Sequence, residues 1–201
     1  MNFVSIRTSL VLTALVLTAA AAPTTAHATN LVLNPGFETG DFTDWTATAA
    51  NDLFVGTGSG YAHSGTYGAQ LGTVGSIGSL SQSIATSPGA SYDVSFWFNE
   101  HSGPTNEFSA SFAGDTFLSL TNYNPDGNGW EQFSQVITAS SSSSLLSFTE
   151  RQDPGYQGLD DISVVQVSAV PLPGSVGMLG SALLGLMGIA GARRKSARIE
   201  A

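Results

Sequence analysis

The feature that most limits the fold of this chain is an alternation of apolar and polar residues in short segments bounded by turn residues. The segment 91–100 shows it most clearly. Its apolar positions are Tyr92, Val94, Phe96 and Phe98, and its polar-face positions are Asp93, Ser95, Trp97 and Asn99. Such alternation is typical of a strand with one buried face. About nine or ten segments of this kind predict an all-β fold, a sandwich of two antiparallel sheets.

The first 28 residues depart from this pattern and predict a cleaved signal peptide. Arg7 precedes an apolar run at 10–22, and the sequence Ala-His-Ala at 26–28 provides the small residues of a cleavage site. The mature chain would then begin at Thr29. An uncleaved membrane anchor is the alternative, although the apolar run is short for a membrane span.

Residues 29–169 form the predicted ectodomain, which is long enough for one domain with a hydrophobic core. The chain has no cysteine, which excludes disulfides, thiolate nucleophiles and cysteine metal sites. Between Thr29 and Val170 there are fourteen Asp and Glu residues and one basic residue, Arg151, so the formal charge is −13. This charge would repel nucleic acid and anionic lipid and would suit a divalent cation. Alternatively, the acidic residues only keep the domain soluble.

Residues 170–201 differ in composition from both the signal peptide and the ectodomain. A short proline motif at 170–174 interrupts the β pattern. Residues 175–192 carry no charge, and as a helix they would be about 27 Å long, enough to span a bilayer core. The basic cluster at 193–195 opens the tail 193–201 and predicts that this tail is cytoplasmic.

The order of these three parts resembles the PEP-CTERM sorting signal of Gram-negative bacteria. The proline motif is Val170-Pro171-Leu172-Pro173, and the basic cluster is Arg193-Arg194-Lys195. The resemblance implies processing by an exosortase, attachment to the membrane before processing, and a final location in the cell envelope or matrix of a bacterium that makes exopolysaccharide or biofilm. Leucine at position 172 replaces the commoner glutamate, and six residues follow the basic cluster. An ordinary single-pass anchor is the alternative.

Three segments of the ectodomain resemble galactose-binding-like sandwiches, a group that includes several carbohydrate-binding modules. They are NLVLNPGFETGDFTDW (30–45), LSQSIATSPGASYDVSFWF (80–98) and RQDPGYQGLDDISV (151–164). The resemblance implies a jelly-roll sandwich. It leaves the function open, because such folds host sugar-binding, protein-binding and structural modules.

The resemblance also implies a structural calcium ion between the first and last strands. The matching positions are Gly36 and Glu38 in a Gly-Phe-Glu motif and Asp160 near the end of the domain, with Asp161 and Asp153 as weaker candidates. Calcium prefers six to eight oxygen ligands, and ligands from both ends of the chain would tie the sandwich together. Alternatively, these carboxylates are simply solvated.

Carbohydrate binding requires an exposed aromatic side chain with polar neighbours. Trp97 is the best candidate, because it shares a strand face with Asp93 and Asn99. Alternatively, Trp97 covers a second small core, and the domain is a structural or adhesive module without a small ligand. An exposed Trp97 favours the first hypothesis, and a Trp97 covered by a loop favours the second.

The other aromatic residues divide into two groups. Trp45 and Trp130 are expected to pack in the core or at its edge. Tyr123 and Tyr156 lie in loop sequences where either ligand contact or turn packing is possible.

Catalysis has little support in the sequence. No Gly-x-Ser-x-Gly motif accompanies His63 or His101, and His63 is expected to form hydrogen bonds in a turn. A glycan-active hydrolase is the remote alternative, and it would need a pair of carboxylates such as Glu100 and Glu107. A single arginine offers little stabilisation of developing negative charge. The ectodomain is therefore expected not to be an enzyme.

Overall fold

The computed structural model describes residues 29–49, 52–100, 105–125 and 129–167. The predicted signal peptide, proline motif, membrane helix and basic tail all lie outside these ranges. Within the described residues, no helix is long and apolar enough to cross a membrane.

In the part of the chain that the structure describes, ten strands form two five-stranded sheets, and all paired strands are antiparallel. The strands are β1 (Thr46–Thr48), β2 (Leu53–Thr57), β3 (Tyr67–Leu71), β4 (Gly78–Ala85), β5 (Ser91–Glu100), β6 (Thr105–Phe112), β7 (Asp115–Thr121), β8 (Trp130–Thr138), β9 (Ser143–Asp153) and β10 (Gln157–Gln166). The first sheet has the order β1-β4-β9-β6-β7, and the second has the order β2-β3-β10-β5-β8. The prediction of a two-sheet antiparallel sandwich is confirmed.

The core lies between the sheets and is rich in aromatic rings, most of them at alternate strand positions. Phe96 and Phe98 of β5 point inward, as their period of two predicts. Phe98 packs against Phe108 with ring centroids 4.1 Å apart, and Phe96 meets Phe148 edge-on at 5.1 Å. Trp45 is 8% exposed and belongs to this core, as predicted.

Candidate functional site

A loop at residues 58–66 lies across the outer face of the second sheet. The loop joins β2 to β3, and its backbone approaches the sheet where β3 and β10 carry glycine. An ideal Cβ on Gly68 would be 1.7 Å from the carbonyl oxygen of Tyr61, and one on Gly158 would be 2.7 Å from that of Gly60. The absence of side chains at Gly68 and Gly158 therefore allows the loop to rest directly on the strands.

A Gly68→Ala substitution should therefore displace the loop and destabilise the protein. Overpacking of this kind typically costs about 1–3 kcal/mol. Gly56, which pairs directly with Gly68, provides the matched control, because its Cβ would meet only the side chain of Gln70. In urea unfolding, Gly68→Ala should lose more stability than Gly56→Ala. Equal losses would show that the loop does not rest on Gly68.

Trp97 lies at the centre of this face, paired with Asp160 of β10 and Gln132 of β8. The imidazole of His63 stacks on its indole, with ring centroids 3.9 Å apart and an interplanar angle of 12°. Trp130 meets His63 edge-on at 5.5 Å. Trp97 is half-buried, and His63 occupies one face of its indole. The loop therefore covers the residue that the sequence proposed as a sugar platform.

The two polar residues proposed beside Trp97 do not join it in an open patch. Asn99 is 3% exposed, and its Nδ2 donates a hydrogen bond to the carbonyl of Gly60 at 3.2 Å. Asp93 is exposed, but it lies further along β5, opposite Val165 and Val136.

A second aromatic cluster on the same face is open to solvent. Phe54 is 44% exposed and Tyr156 is 37% exposed, and their ring centroids lie 6.1 Å apart. Tyr61 meets Tyr156 edge-on at 6.3 Å. The ring of Tyr156 lies over Gly72, where a Cβ would come within 2.4 Å of it. The sequence indicated Tyr156 as a possible ligand contact but did not indicate Phe54, whose signal is its outward position next to the buried Leu53.

A row of directly paired residues runs across the five strands of the sheet from one aromatic cluster to the other. The row contains one residue from each strand: Phe54, Gln70, Gly158, Asn99 and Trp130. Five strands at the usual spacing span about 19 Å. The face thus presents aromatic rings near both edges, with an amide side chain and the loop backbone between them.

Two consecutive aspartates of β10 face the loop from below. In a regular strand they would point to opposite faces, but the register shifts between Asp160 and Ser163, and Asp161 has φ of 48°. Oδ2 of Asp160 accepts hydrogen bonds from the backbone N–H groups of His63 at 2.7 Å and Ser64 at 3.1 Å. Oδ2 of Asp161 lies 2.7 Å from Nδ1 of His63. His63 is thus a turn hydrogen-bonding residue, as predicted.

The Gly-Phe-Glu motif approaches the same loop from the other end of the chain. Oε1 of Glu38 accepts hydrogen bonds from the N–H groups of Thr66 at 2.9 Å and Tyr67 at 3.1 Å. Gly36 lies against β10, and a Cβ there would be 3.2 Å from Oδ1 of Asp160. Four of the five positions proposed for calcium therefore gather around loop 58–66, and Asp153 does not.

The electrostatics of this cluster favour a cation. Asp160 is fully buried; burial raises its pKa to about 6, and the charge of Asp161 adds to the rise. Backbone N–H donors oppose this shift. Within the described ranges, no three His, Asp or Glu side chains converge on one point. A calcium ion here would thus need backbone carbonyl oxygens or water besides the carboxylates.

The remaining candidates have other environments. Asp153 accepts hydrogen bonds from the backbone of Gly75 and from Arg151. Glu100 points into the core and is 1% exposed, whereas Glu107 lies on the outer face of the first sheet, 3.9 Å from Arg151. The carboxylate pair considered for hydrolysis is therefore not assembled. His101 lies outside the described residues.

The fold and this face define the class of protein: a β-sandwich module with an aromatic outer surface. The sequence model of the family described as "Carbohydrate binding domain" matches residues 29–154. The chain belongs to this carbohydrate-binding domain family. No curated protein sequence matches it significantly.

Solved structures share the fold. TmCBM61, determined in complex with β-1,4-galactotriose, is 22% identical, covers 69% of this chain and 99% of its own, and superposes with a TM-score of 0.54. The C-terminal family 22 carbohydrate-binding module of Clostridium thermocellum Xyn10B is 16% identical (69% and 94% covered, TM-score 0.51). The K1 cleaved adhesin domain of Lys-gingipain from Porphyromonas gingivalis W83 is 15% identical (67% and 96% covered, TM-score 0.50).

Proposed function

We propose that the ectodomain binds a polysaccharide on the outer face of the second sheet, with Phe54 and Tyr156 as the rings on which sugars stack. The exposed aromatic cluster carries this proposal, because the chain belongs to a family of carbohydrate-binding domains. Exposed apolar side chains that form one contiguous patch often mark a binding surface, and these rings are adjacent. Gln70, in the same row as Phe54, offers an amide beside the rings.

The chemistry of the domain favours a neutral or cationic polysaccharide. A formal charge of −13 would repel an acidic glycan unless a cation bridges the two. Because TmCBM61 was determined with β-1,4-galactotriose, a β-1,4-linked galactan is a suitable first probe. The domain acts by binding, without catalysis, and nucleic acid is not a partner.

Trp97 supports the site from beneath the loop. The stacked His63 leaves Trp97 only part of its surface for a sugar, and Asn99 is committed to the backbone of Gly60. In this proposal Trp97 and Asn99 hold loop 58–66 in place. Asp93 and the exposed edge of Trp97 remain candidate contacts at the far side of a longer ligand.

A structural calcium ion forms part of the proposal. It would be held by the carboxylates of Glu38, Asp160 and Asp161 with backbone oxygens near Gly36, and it would offset the negative charge gathered there. Its role would be to fix loop 58–66, and with it Tyr61 and His63, on the sheet. It takes no part in any reaction.

The sequence patterns at the two ends of the chain support a location outside the cell. We propose export through the inner membrane under the signal peptide 1–28, temporary anchoring by residues 175–192, and sorting by an exosortase at Val170–Pro173. The protein would then belong to the envelope or exopolysaccharide matrix of a Gram-negative bacterium. The basic cluster at 193–195 would be removed with the membrane helix.

Intact mass spectrometry of the envelope-associated protein tests the sorting. In a host with an exosortase, the mature chain should begin at Thr29 and end near Pro173. Deletion of the exosortase should leave a species that retains the C-terminal helix. A mature protein that still ends at Ala201 in the wild-type host would contradict the proposal.

A structural or adhesive envelope module is the second candidate. This candidate is favoured by the stacking of His63 over Trp97, because a tryptophan that only packs against a loop is expected to be covered in this way. A glycan-array screen of the purified protein, with and without calcium, separates the two. Binding to neutral or amino-sugar glycans supports the first candidate, and the absence of binding to any glycan supports the second.

A further inference from the structure

At one end of the sandwich, the inward-facing residues of four central strands change from apolar to polar. On β5, Glu100 follows Phe96 and Phe98. On β9, Glu150 and Gln152 follow Leu146 and Phe148. Asn106 precedes Phe108 on β6, and Gln157 precedes Leu159 on β10. These five polar residues, termed the polar inner end, are each at most 1% exposed.

The strand pairing brings these changes to the same end. The strands are antiparallel, so the ends of β5 and β9 lie beside the starts of β10 and β6. Gln157 pairs with Glu100, and Asn106 pairs with Gln152. The polar inner end is therefore an extension of the core between the two sheets, separate from the cluster under loop 58–66.

Two glutamines in this region have unmet hydrogen-bonding capacity. Nε2 of Gln157 donates to Oε2 of Glu100 at 2.9 Å, which leaves Oε1 of Gln157 as an acceptor with no partner among the described residues. Neither Oε1 nor Nε2 of Gln152 has a partner within the same ranges. A buried amide without hydrogen-bond partners is unfavourable. Two such amides, at the end where four strands turn polar on their inner face, therefore point to a ligand.

The two amides flank one turn. Nε2 of Gln152 lies 3.4 Å from where a Cβ of Gly155 would be, which places this amide under the turn between β9 and β10. Gln157 begins β10 directly after that turn. The two side chains therefore approach the same end of the interior from its two sides.

Among the described residues, no lysine or arginine pairs with the buried carboxyl group of Glu150. Its carboxylate accepts hydrogen bonds from the N–H and hydroxyl of Thr73. Arg151, the only such residue between Thr29 and Val170, lies on the outer face of the first sheet and bonds to Asp153. An ionised carboxylate in a protein interior is strongly unfavourable unless it is paired.

We propose that the polar inner end binds one divalent cation, Ca²⁺, through oxygens of Glu150, Gln152 and Gln157. Carboxylate and amide oxygens are the ligands that calcium prefers. The positive charge of the ion would offset the carboxylate of Glu150. Such an ion would join the two sheets at the end where the hydrophobic core stops.

Calcium binding to the purified full-length chain tests this proposal, with the metal alone as the probe in equilibrium dialysis. Gln152→Met replaces the amide with an apolar side chain of similar length. It should remove one bound ion or weaken its binding at least tenfold, whereas Glu38→Gln should retain that ion. Gln157→Met is the second variant and should behave like Gln152→Met.

The thermal melting of the same variants provides an independent readout. In excess chelator, Gln152→Met should melt at or above the wild-type temperature, because an unsatisfied amide is gone. Calcium should then raise its melting temperature less than it raises that of the wild type. A full calcium response in Gln152→Met and Gln157→Met, or no calcium binding by the wild type, would overturn the proposal. If one ion is lost only in Glu38→Gln, the site under loop 58–66 stands and this one fails.

Discussion

Asp160→Ala should destabilise the protein by about 3 kcal/mol or more, because three backbone N–H groups lose a buried acceptor. These donors belong to His63, Ser64 and Asp161. Urea unfolding in excess chelator measures this loss separately from any metal. Asp161→Ala is the matched control, since the side chain of Asp161 is 32% exposed. Its loss should be clearly smaller.

Calcium should stabilise the protein further through Asp160, in addition to the hydrogen bonds of its carboxylate. An ion that binds only the folded state stabilises it by about 2.7 kcal/mol at one hundred times its dissociation constant. The wild type should therefore unfold at higher urea in calcium than in chelator, and Asp160→Ala should lose most of this increase. If chelator leaves the wild-type curve unchanged, no calcium ion supports loop 58–66. Equal losses of stability in chelator from Asp160→Ala and Asp161→Ala would contradict the central role given to Asp160.

The double substitution Phe54→Ala and Tyr156→Ala should abolish measurable binding to the polysaccharide that the wild type prefers. Each stacked ring is worth about 1–3 kcal/mol, by analogy with bases stacked on aromatic side chains. Either single substitution should thus weaken binding about tenfold or more. The two rings are in contact, so their effects need not add. Affinity electrophoresis in gels that contain the polysaccharide measures these changes.

Two controls make this result specific. Leu145→Ala removes a side chain that is 55% exposed on the first sheet and should leave binding unchanged. Trp97→Phe should lower stability more than it lowers affinity, because Trp97 packs under His63. If Trp97→Phe removes binding while Phe54→Ala and Tyr156→Ala do not, the sugar platform is Trp97 and the assignment to the exposed cluster is wrong.

The sequence predicted the fold well where strands alternate strongly. β5 was predicted with its correct bounds and faces, since four apolar residues alternate with polar ones over ten positions. β1 and β2 escaped prediction because they are edge strands of only three and five residues, too short to show an alternating pattern. Their place in the sheets depends on pairing with β4 and β3, which no local pattern encodes.

The sites were less predictable because they depend on contacts between distant segments. The sequence correctly placed Trp97 on the outer face of β5, but its cover by His63 requires loop 58–66 to fold back over Gly68. Strict alternation would send Asp160 and Asp161 to opposite faces. Only the bulge in β10 directs both toward the loop, and a bulge leaves little trace in a single sequence.

A ¹⁵N NMR titration of the protein with the glycan that binds best on the array tests most directly whether the second sheet binds polysaccharide. Binding there predicts saturable shifts concentrated on the outer face of the second sheet, around Phe54, Gln70 and Tyr156 and in loop 58–66. The first sheet should remain unperturbed. Shifts confined to the outer face of the first sheet, or none with any glycan, would contradict binding at the second sheet.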